Sequence, residues 1–271
     1  MIISASRRTD IPAYYSEWML NRIREGYACV RNPMNNSQIR KVSLVRDDVD
    51  CIVFWTKNPW PILKKLSAFN AYTYYFQFSL NPYENDIETN LPDKSVIMET
   101  FKRLSGEIGP KKIIWRYDPV LINEKYTVQY HIEKFYSMAC ELKGYTEKII
   151  FSFMDFYGKI MKNIEKLNIR EITEDEKNII AKNFSRAAVE NNLIIETCAE
   201  DIDLSMFNIS RARCIDGRLI SDISAKKNGK ELSLSKDKNQ RPLCGCAASV
   251  DIGAYNTCLN ACLYCYATYN R

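Results

Sequence analysis

The sequence contains a single histidine, His131, among its 271 residues. Ser-His-Asp and Cys-His catalytic centres and multi-histidine metal sites all need imidazole at their centre, so one histidine argues against each of these classes. Because His131 lies beside the apolar stripe of a predicted helix, we expect it to be a half-buried residue on the helix surface.

Long apolar runs are also missing. No stretch approaches the roughly 18 uninterrupted apolar residues that a membrane-spanning helix needs, which argues against a membrane protein. The opening residues, MIISASRRTD, become charged too early for a secretory signal, so we expect a cytoplasmic protein. Lys and Arg (38) only slightly outnumber Asp and Glu (33), and the net charge of +5 is too small and too evenly spread to indicate a nucleic-acid partner.

Short apolar runs alternate with longer helical stretches, which is typical of parallel strands joined by crossover helices. Most runs are apolar on both faces, as in strands that helices cover. We therefore predict an α/β fold, a TIM-like parallel (β/α) barrel of about six to eight strands, open or closed, with a hairpin between Tyr27 and Val45. The predicted strands are Ile2–Ser4, Cys51–Trp55, Tyr72–Leu80, Lys112–Arg116, Lys148–Met154, Leu193–Cys198 and Ser249–Tyr255. The predicted helices include Ala13–Glu25, Asp93–Ser105, one capped by Thr127 and one opened by a capping box of Thr173 and Glu176.

Size and composition fit one domain. Apolar residues make up 46% and charged residues 26% of the chain, the balance of an ordinary folded protein. A chain of 271 residues suits one barrel. We predict a single domain over residues 1–271, in which the polar, lysine-rich run Asp222–Arg241 forms a mobile surface insertion.

Polar side chains end or follow most of the predicted strands. In (β/α) barrels the reacting groups lie at the carboxyl ends of the strands, so these residues together predict a polar pocket. For any one of them, a solvated salt bridge at the rim is the simpler interpretation. The residues are Ser4–Asp10, Trp55–Asn58, Gln77, Ser79, Asn81, Arg116, Asp118, Asp155, Cys198 and Glu200.

Ten cysteines are present, and seven of them lie between Cys198 and Cys265. A cytosolic chain rarely keeps structural disulfides, so thiolate ligands or redox chemistry explain this clustering better than a disulfide framework does. The three scattered cysteines, Cys29, Cys51 and Cys140, are expected in the core.

Three thiols, Cys258, Cys262 and Cys265, have C-x3-C-x2-C spacing directly after a predicted strand. Thiolates hold iron–sulfur clusters, and three of them on a cubane of four irons leave one iron open for another ligand. The alternative is a zinc site with a fourth thiolate from Cys244 or Cys246.

The motif resembles that of the radical S-adenosylmethionine (SAM) superfamily, whose loop of this spacing binds a 4Fe-4S cluster and whose open iron is chelated by the methionyl amino and carboxylate groups. By this resemblance, Tyr264 lies near the adenine. The segments SRRTDIPA and CGCAASVDIGAYNTCLNACLYCYA resemble one family of radical-SAM-type proteins, and the likeness spans essentially the whole chain. Since the cluster loop of the superfamily normally follows the first strand, its place here implies a circularly permuted barrel, with Ser249–Tyr255 as first strand and Ile2–Ser4 as second.

The same resemblance implies the cofactor contacts. Ser79 and Gln77 would contact the ribose or the methionyl group, and Arg7 would pair with the methionyl carboxylate. A flavodoxin or a ferredoxin would supply the electron that reduces the cluster.

Within this family, the sequence is similar to queuine lyase, which cleaves a carbon–nitrogen bond of queuine and releases 7-aminomethyl-7-deazaguanine. A deazaguanine needs a carboxylate for its N1–H and amino group, donors for its carbonyl, and an aromatic wall. Barrel packing is the alternative for each candidate. The candidates are Asp155 and Glu200 as acceptors, Asn58 and Arg116 as donors, and Trp55, Trp115 and Tyr117 for stacking.

Two other functions stay open. One is a DNA-repair enzyme similar to spore photoproduct lyase, which would need a basic groove that follows phosphates. The other is a non-enzymatic metal-binding or redox-sensing barrel. A separate question is whether four further thiols hold a second cluster or a zinc ion, or are reduced and partly buried. These are Cys198, Cys214, Cys244 and Cys246.

Overall fold

The computed structural model describes residues 1–228, 235–238 and 240–268. Within these residues, strands and helices alternate along most of the chain, as the sequence predicts. The strands are β1 (Ile2–Ala5), β2 (Tyr27–Asn32), β3 (Asn35–Ser43), β4 (Cys51–Thr56), β5 (Tyr74–Ser79), β6 (Ile113–Val120), β7 (Lys148–Phe153), β8 (Ile194–Thr197), β9 (Ser210–Arg211) and β10 (Ser249–Asp251). The helices are α1 (Ile11–Tyr14), α2 (Ser16–Glu25), α3 (Trp60–Leu63), α4 (Lys94–Ile108), α5 (Val128–Leu142), α6 (Met161–Lys166), α7 (Glu174–Glu190) and α8 (Gly217–Asn228).

Eight strands form one parallel sheet in the order β10-β1-β4-β5-β6-β7-β8-β9, which confirms the predicted α/β fold with a large parallel sheet. Nearly every residue of β4, β5 and β7 is buried, which explains why these strands are apolar on both faces. In the described part of the chain, no ladder of hydrogen bonds joins the edge strands β9 and β10. The predicted hairpin is confirmed as the antiparallel pair β2 and β3.

The first strand of the chain lies beside the last. β10 pairs in parallel with β1, so that Ile2 faces Ser249 and Ser4 faces Asp251. Asp251 accepts hydrogen bonds from the Ser4 and Ser6 hydroxyls, at 2.9 and 2.6 Å. A Cβ atom at Gly253 would lie 2.1 Å from the Ser6 Oγ, so this close approach of the two loops requires glycine. This adjacency is what a circularly permuted barrel needs at its join.

The predicted surface insertion at 222–241 is wrong in its first seven residues, because Asp222–Asn228 belong to helix α8. Leu219, Ile220 and Ile223 give this helix a buried apolar face against the sheet, and that packing outweighs the polar composition that suggested a loop. Residues 229–234 and 239 of the predicted insertion lie outside the described residues.

His131 is fully buried rather than half-buried, which corrects the expectation from its helix face. The Tyr117 hydroxyl and His131 Nδ1 lie 2.8 Å apart, and Nε2 lies 2.8 Å from the Leu121 carbonyl oxygen. Burial lowers the pKa of His131 to about 4, so the imidazole is neutral near pH 7. The partners come from β6 and the residue after it, which the pattern of α5 alone does not reveal.

Two of the scattered cysteines also correct the sequence analysis. Cys51 lies in the core as expected, whereas Cys29 and Cys140 are exposed. Both exposed thiols lie on the solvent side of an amphipathic element, β2 and α5 respectively, which their residue type did not indicate. Among the described residues, no helix has both the length and the apolar character needed to cross a membrane.

Candidate functional site

A cavity of about 460 Å³ opens at the carboxyl ends of the parallel strands. Residues that follow β1, β4, β7, β8, β9 and β10 line it, together with residues of β6 and residues at the ends of β4, β5 and β7. This is the edge at which (β/α) folds place their reacting groups, and it is where the sequence predicts a polar pocket.

The three cysteines of the C-x3-C-x2-C motif all line this cavity. Cys262 is 6% exposed, and Cys258 and Cys265 are partly buried. Ala261 has a left-handed backbone (φ 53°), and the Cys265 amide donates to the Cys262 carbonyl at 3.1 Å. This tight turn brings the thiols of one short loop to the same side. Burial raises the pKa of all three, for Cys258 to about 11.

The donor set fits an iron–sulfur cluster. Within the described residues, no three or more His, Cys, Asp or Glu side chains surround one point as a ready-made single-ion shell. A cubane does not need such convergence, because each thiolate binds a different iron. Cys244 and Cys246, one of which the zinc alternative would need, lie beside each other, and Cys246 also lies beside Cys214.

A buried ionic network contacts the cysteine loop. Glu88, which is 1% exposed, accepts from Lys57 Nζ at 2.7 Å and also pairs with Lys94. The Tyr264 hydroxyl donates to the same carboxylate at 2.5 Å. Burial alone would raise the pKa of Glu88, but the two lysine charges outweigh it and lower that pKa. The backbone of Glu88 also forms a β-bridge with Cys262, so the network positions both the loop and its aromatic residue.

Two arginines hold Trp55 at the wall of the cavity. The guanidinium carbons of Arg7 and Arg116 lie 4.9 and 5.2 Å from the centre of its ring, at cation–π distance. Trp55 Nε1 is buried and has no hydrogen-bond partner among the described residues. Arg116 pairs with Asp118, which also accepts from the Ser152 hydroxyl. The cavity therefore offers a cationic aromatic wall with one unused donor, beside a carboxylate.

The structure brings most of the candidate site residues together. Asp155 is half exposed and pairs at the rim with Arg241, whose guanidinium also contacts the Tyr157 hydroxyl. The candidates that line the cavity are Cys258, Cys262, Cys265, Tyr264, Ser79, Arg7, Arg116, Asp155 and Trp55.

Three polar candidates for cofactor or substrate contacts lie outside the cavity wall. Gln77 is buried and donates from Nε2 to the Cys214 carbonyl at 2.6 Å. Asn58 accepts from the Trp60 amide at 3.2 Å, at the start of α3. Glu200 accepts from the Phe153 amide at 2.9 Å. Each of these side chains is bound to nearby backbone rather than presented to the cavity.

Trp115 and Tyr117 are core residues and do not form the aromatic wall that the sequence predicts for them. Both are fully buried; Trp115 stacks on Phe135 with ring centres 5.2 Å apart, and Tyr117 contacts His131. Side chains alternate across a strand, so Arg116 between them points to the opposite face, toward the cavity.

Several residues of the site were not selected from the sequence. Glu88 lies in a loop without a periodic pattern, and Ser152 is one polar residue in an apolar strand. Asp251 lies in a predicted strand and gave no separate signal. Arg241 was assigned to the insertion. Only the polar residue types at strand ends could have indicated Ser152 and Asp251.

Glu200 gives this part of the molecule a pH-dependent stability. Burial raises its pKa from 4.5 to about 7, so the folded protein binds the proton more tightly than the unfolded chain does. The folded state therefore loses stability as the pH rises from about 4.5 to about 7. We expect Glu200→Gln to match the wild type below pH 5 and to be more stable at pH 8, by at most about 3 kcal/mol. Urea unfolding at both pH values measures this.

A suitable control is Glu99→Gln, at an exposed position of α4. This variant should show no comparable gain at pH 8. If Glu200→Gln has the same stability difference from wild type at both pH values, Glu200 is not the group that titrates.

Comparison with known proteins gives one family. No curated protein and no solved structure matches the chain significantly. Residues 2–267 match the family described as "Domain of unknown function (DUF1848)", which covers nearly the whole chain and includes both the β1 loop and the cysteine motif. The chain therefore belongs to the DUF1848 family.

Proposed function

We propose that the protein is a radical SAM lyase that cleaves a carbon–nitrogen bond of queuine and releases 7-aminomethyl-7-deazaguanine. The observation that carries the proposal is the position of the three motif thiols. Cys258, Cys262 and Cys265 face one cavity from a loop that follows β10, and β10 lies beside β1 at the carboxyl-end face of a parallel sheet.

The motif thiols would hold a 4Fe-4S cluster, and the iron without a cysteine would take the amino and carboxylate groups of SAM. When both are bound, the cluster and SAM together would supply hydrogen abstraction by a carbon-centred radical. Lys57 lies close enough to lower the pKa of Cys262 against the larger effect of burial, which favours the thiolate that iron requires. Arg7 lines the cavity and would pair with the methionyl carboxylate there.

The rest of the cavity suits a planar, polar base. The whole cavity, which the motif cysteines also line, has a volume of about 460 Å³, within the range of small-molecule sites. Trp55 supplies the stacking wall, Arg116 supplies a donor for a carbonyl, and Asp118 supplies a carboxylate beside both. Asp155 at the rim is a second acceptor, once Arg241 releases it. These walls would also keep water away from the reacting hydrogen.

The test is an anaerobic assay of the reconstituted protein with SAM, dithionite and queuine. We expect 5′-deoxyadenosine and 7-aminomethyl-7-deazaguanine, and expect flavodoxin or ferredoxin to replace dithionite. Formation of 5′-deoxyadenosine without the released base would retain the radical chemistry and reject queuine as substrate. Absence of both products would favour a non-enzymatic metal-binding protein and reject the proposal.

A further inference from the structure

Four cysteines outside the motif come together from three separate segments of the chain. Cys198 follows β8, Cys214 follows β9, and Cys244 and Cys246 precede β10. The Cys198 and Cys214 sulfurs are 3.3 Å apart, and the Cys246 thiol lies beside those of Cys214 and Cys244. We call these residues the thiol quartet. All four line the cavity, on the side formed by the two edges of the sheet.

Three N–H donors point at two sulfurs of the thiol quartet, those of Cys214 and Cys246. Arg116 Nη1 donates to the Cys214 sulfur at 3.0 Å, and Arg7 Nη2 donates to the Cys246 sulfur at 3.7 Å. The Ile215 amide donates to the Cys246 sulfur at 3.3 Å. Donors of this kind stabilise thiolates, which are the form of cysteine that binds metal. Two guanidinium groups would also balance the negative charge of an ion held by four thiolates.

We propose that the thiol quartet binds one zinc ion. Zinc–sulfur bonds of about 2.3 Å in a tetrahedron place the sulfurs about 3.8 Å apart. The Cys198–Cys214 separation of 3.3 Å is near that spacing. The ligands of an iron–sulfur cluster bind different irons and lie further apart, so the direct contact between the Cys198 and Cys214 sulfurs favours a single ion.

Closing the shell requires a small rearrangement. The sulfurs run as a chain from Cys198 through Cys214 and Cys246 to Cys244, and no three of them in the described residues yet surround one point. A bound ion would draw the two outer side chains, Cys198 and Cys244, inward. The segments that carry Cys214 and Cys246 are already joined, since the Ala247 amide donates to the Ile215 carbonyl at 2.9 Å.

This ion would join the two edges of the sheet. No ladder connects β9 to β10 in the described residues, and the thiol quartet lies between the segment after β9 and the segment before β10. The Tyr75 hydroxyl and Gln77 Nε2 both donate to the Cys214 carbonyl, at 2.8 and 2.6 Å, and fix one side of the join. Zinc would thus hold the segment that leads into β10 and the cysteine motif.

Metal analysis tests the proposal without an activity assay. Anaerobically purified wild-type protein should contain one zinc ion per chain, as measured by inductively coupled plasma mass spectrometry. A variant with Cys258, Cys262 and Cys265 all replaced by alanine should lose its iron and keep this zinc, which separates the outcome from that of the proposed function. Cys246→Ser and Cys214→Ser should lose most of the zinc. Cys140→Ser, at an exposed position of α5, should keep it.

Cobalt titration of the wild-type protein gives a test that does not depend on whether the cysteine variants fold. Tetrahedral thiolate ligation should produce sulfur-to-cobalt charge transfer and intense visible bands at one equivalent, reversed by zinc. Absence of zinc and of these bands would overturn the proposal. The proposal would also be overturned if the triple-alanine variant contained iron and no zinc. The thiol quartet would then hold a second cluster.

Discussion

Replacement of Cys258, Cys262 and Cys265 by alanine is expected to abolish both iron binding and the formation of 5′-deoxyadenosine from SAM. The three thiols lie on one loop and face one cavity, and no other thiolates are placed to take over their role on the same loop. Iron content, visible absorption and product formation after anaerobic reconstitution measure the effect. Each single alanine variant should lose most of its iron and most of its product formation, because a cluster held by only two thiolates readily loses its remaining protein ligands.

The control is a variant with Cys29 and Cys140 replaced by alanine. Both thiols are exposed and lie away from the cavity wall, so iron content and product formation should equal those of the wild type. Normal iron content and activity in the triple-alanine variant would reject the radical SAM proposal, whatever the substrate.

Replacement of Lys57 by methionine is expected to destabilise the protein by about 3 kcal/mol. Lys57 is 13% exposed and its partner Glu88 is 1% exposed, so the substitution leaves a buried carboxylate with Lys94 as its remaining cation. Removing one of the two cations from a buried carboxylate costs far more than a surface ion pair contributes. Urea unfolding near pH 7 measures the change in the free energy of unfolding.

Two further variants test whether the buried charge of Glu88 causes this loss of stability. Lys57→Met combined with Glu88→Gln should recover part of the lost stability, because the amide carries no charge. Lys125→Met removes a lysine that is 46% exposed and paired with Glu84 and Asp86, and should change stability by less than about 0.5 kcal/mol. Equal losses at Lys57 and Lys125 would mean that burial of Glu88 does not determine the cost.

Residues close together in the chain account for the elements that were predicted correctly. The Thr127 side chain accepts from the Tyr130 amide at the start of α5, and Thr173 with Glu176 forms the capping box of α7. A cap involves residues within one turn, so sequence alone reveals it. The parallel strands are equally visible, because a strand covered on both faces is apolar at nearly every position.

Elements that depend on distant packing were missed. β9 has two exposed residues and no apolar run, and it exists because it pairs with the end of β8. Asp222–Asn228 of α8 fall in the predicted polar insertion, although Ile223 in this part is buried against the sheet together with Ile220. The burial of His131 likewise depends on Tyr117, from a strand that no local pattern connects to α5.

For the site, the sequence by itself determined the cysteine motif, because its three thiols lie between Cys258 and Cys265 and their spacing is a local property. It also determined that polar residues end the strands. Only the tertiary structure decided what surrounds them: Glu88 bonds Tyr264 across 176 positions, and the thiol quartet joins segments from Cys198 to Cys246. The physical reason is that strand order, rather than chain order, decides which side chains meet at the carboxyl end of a parallel sheet.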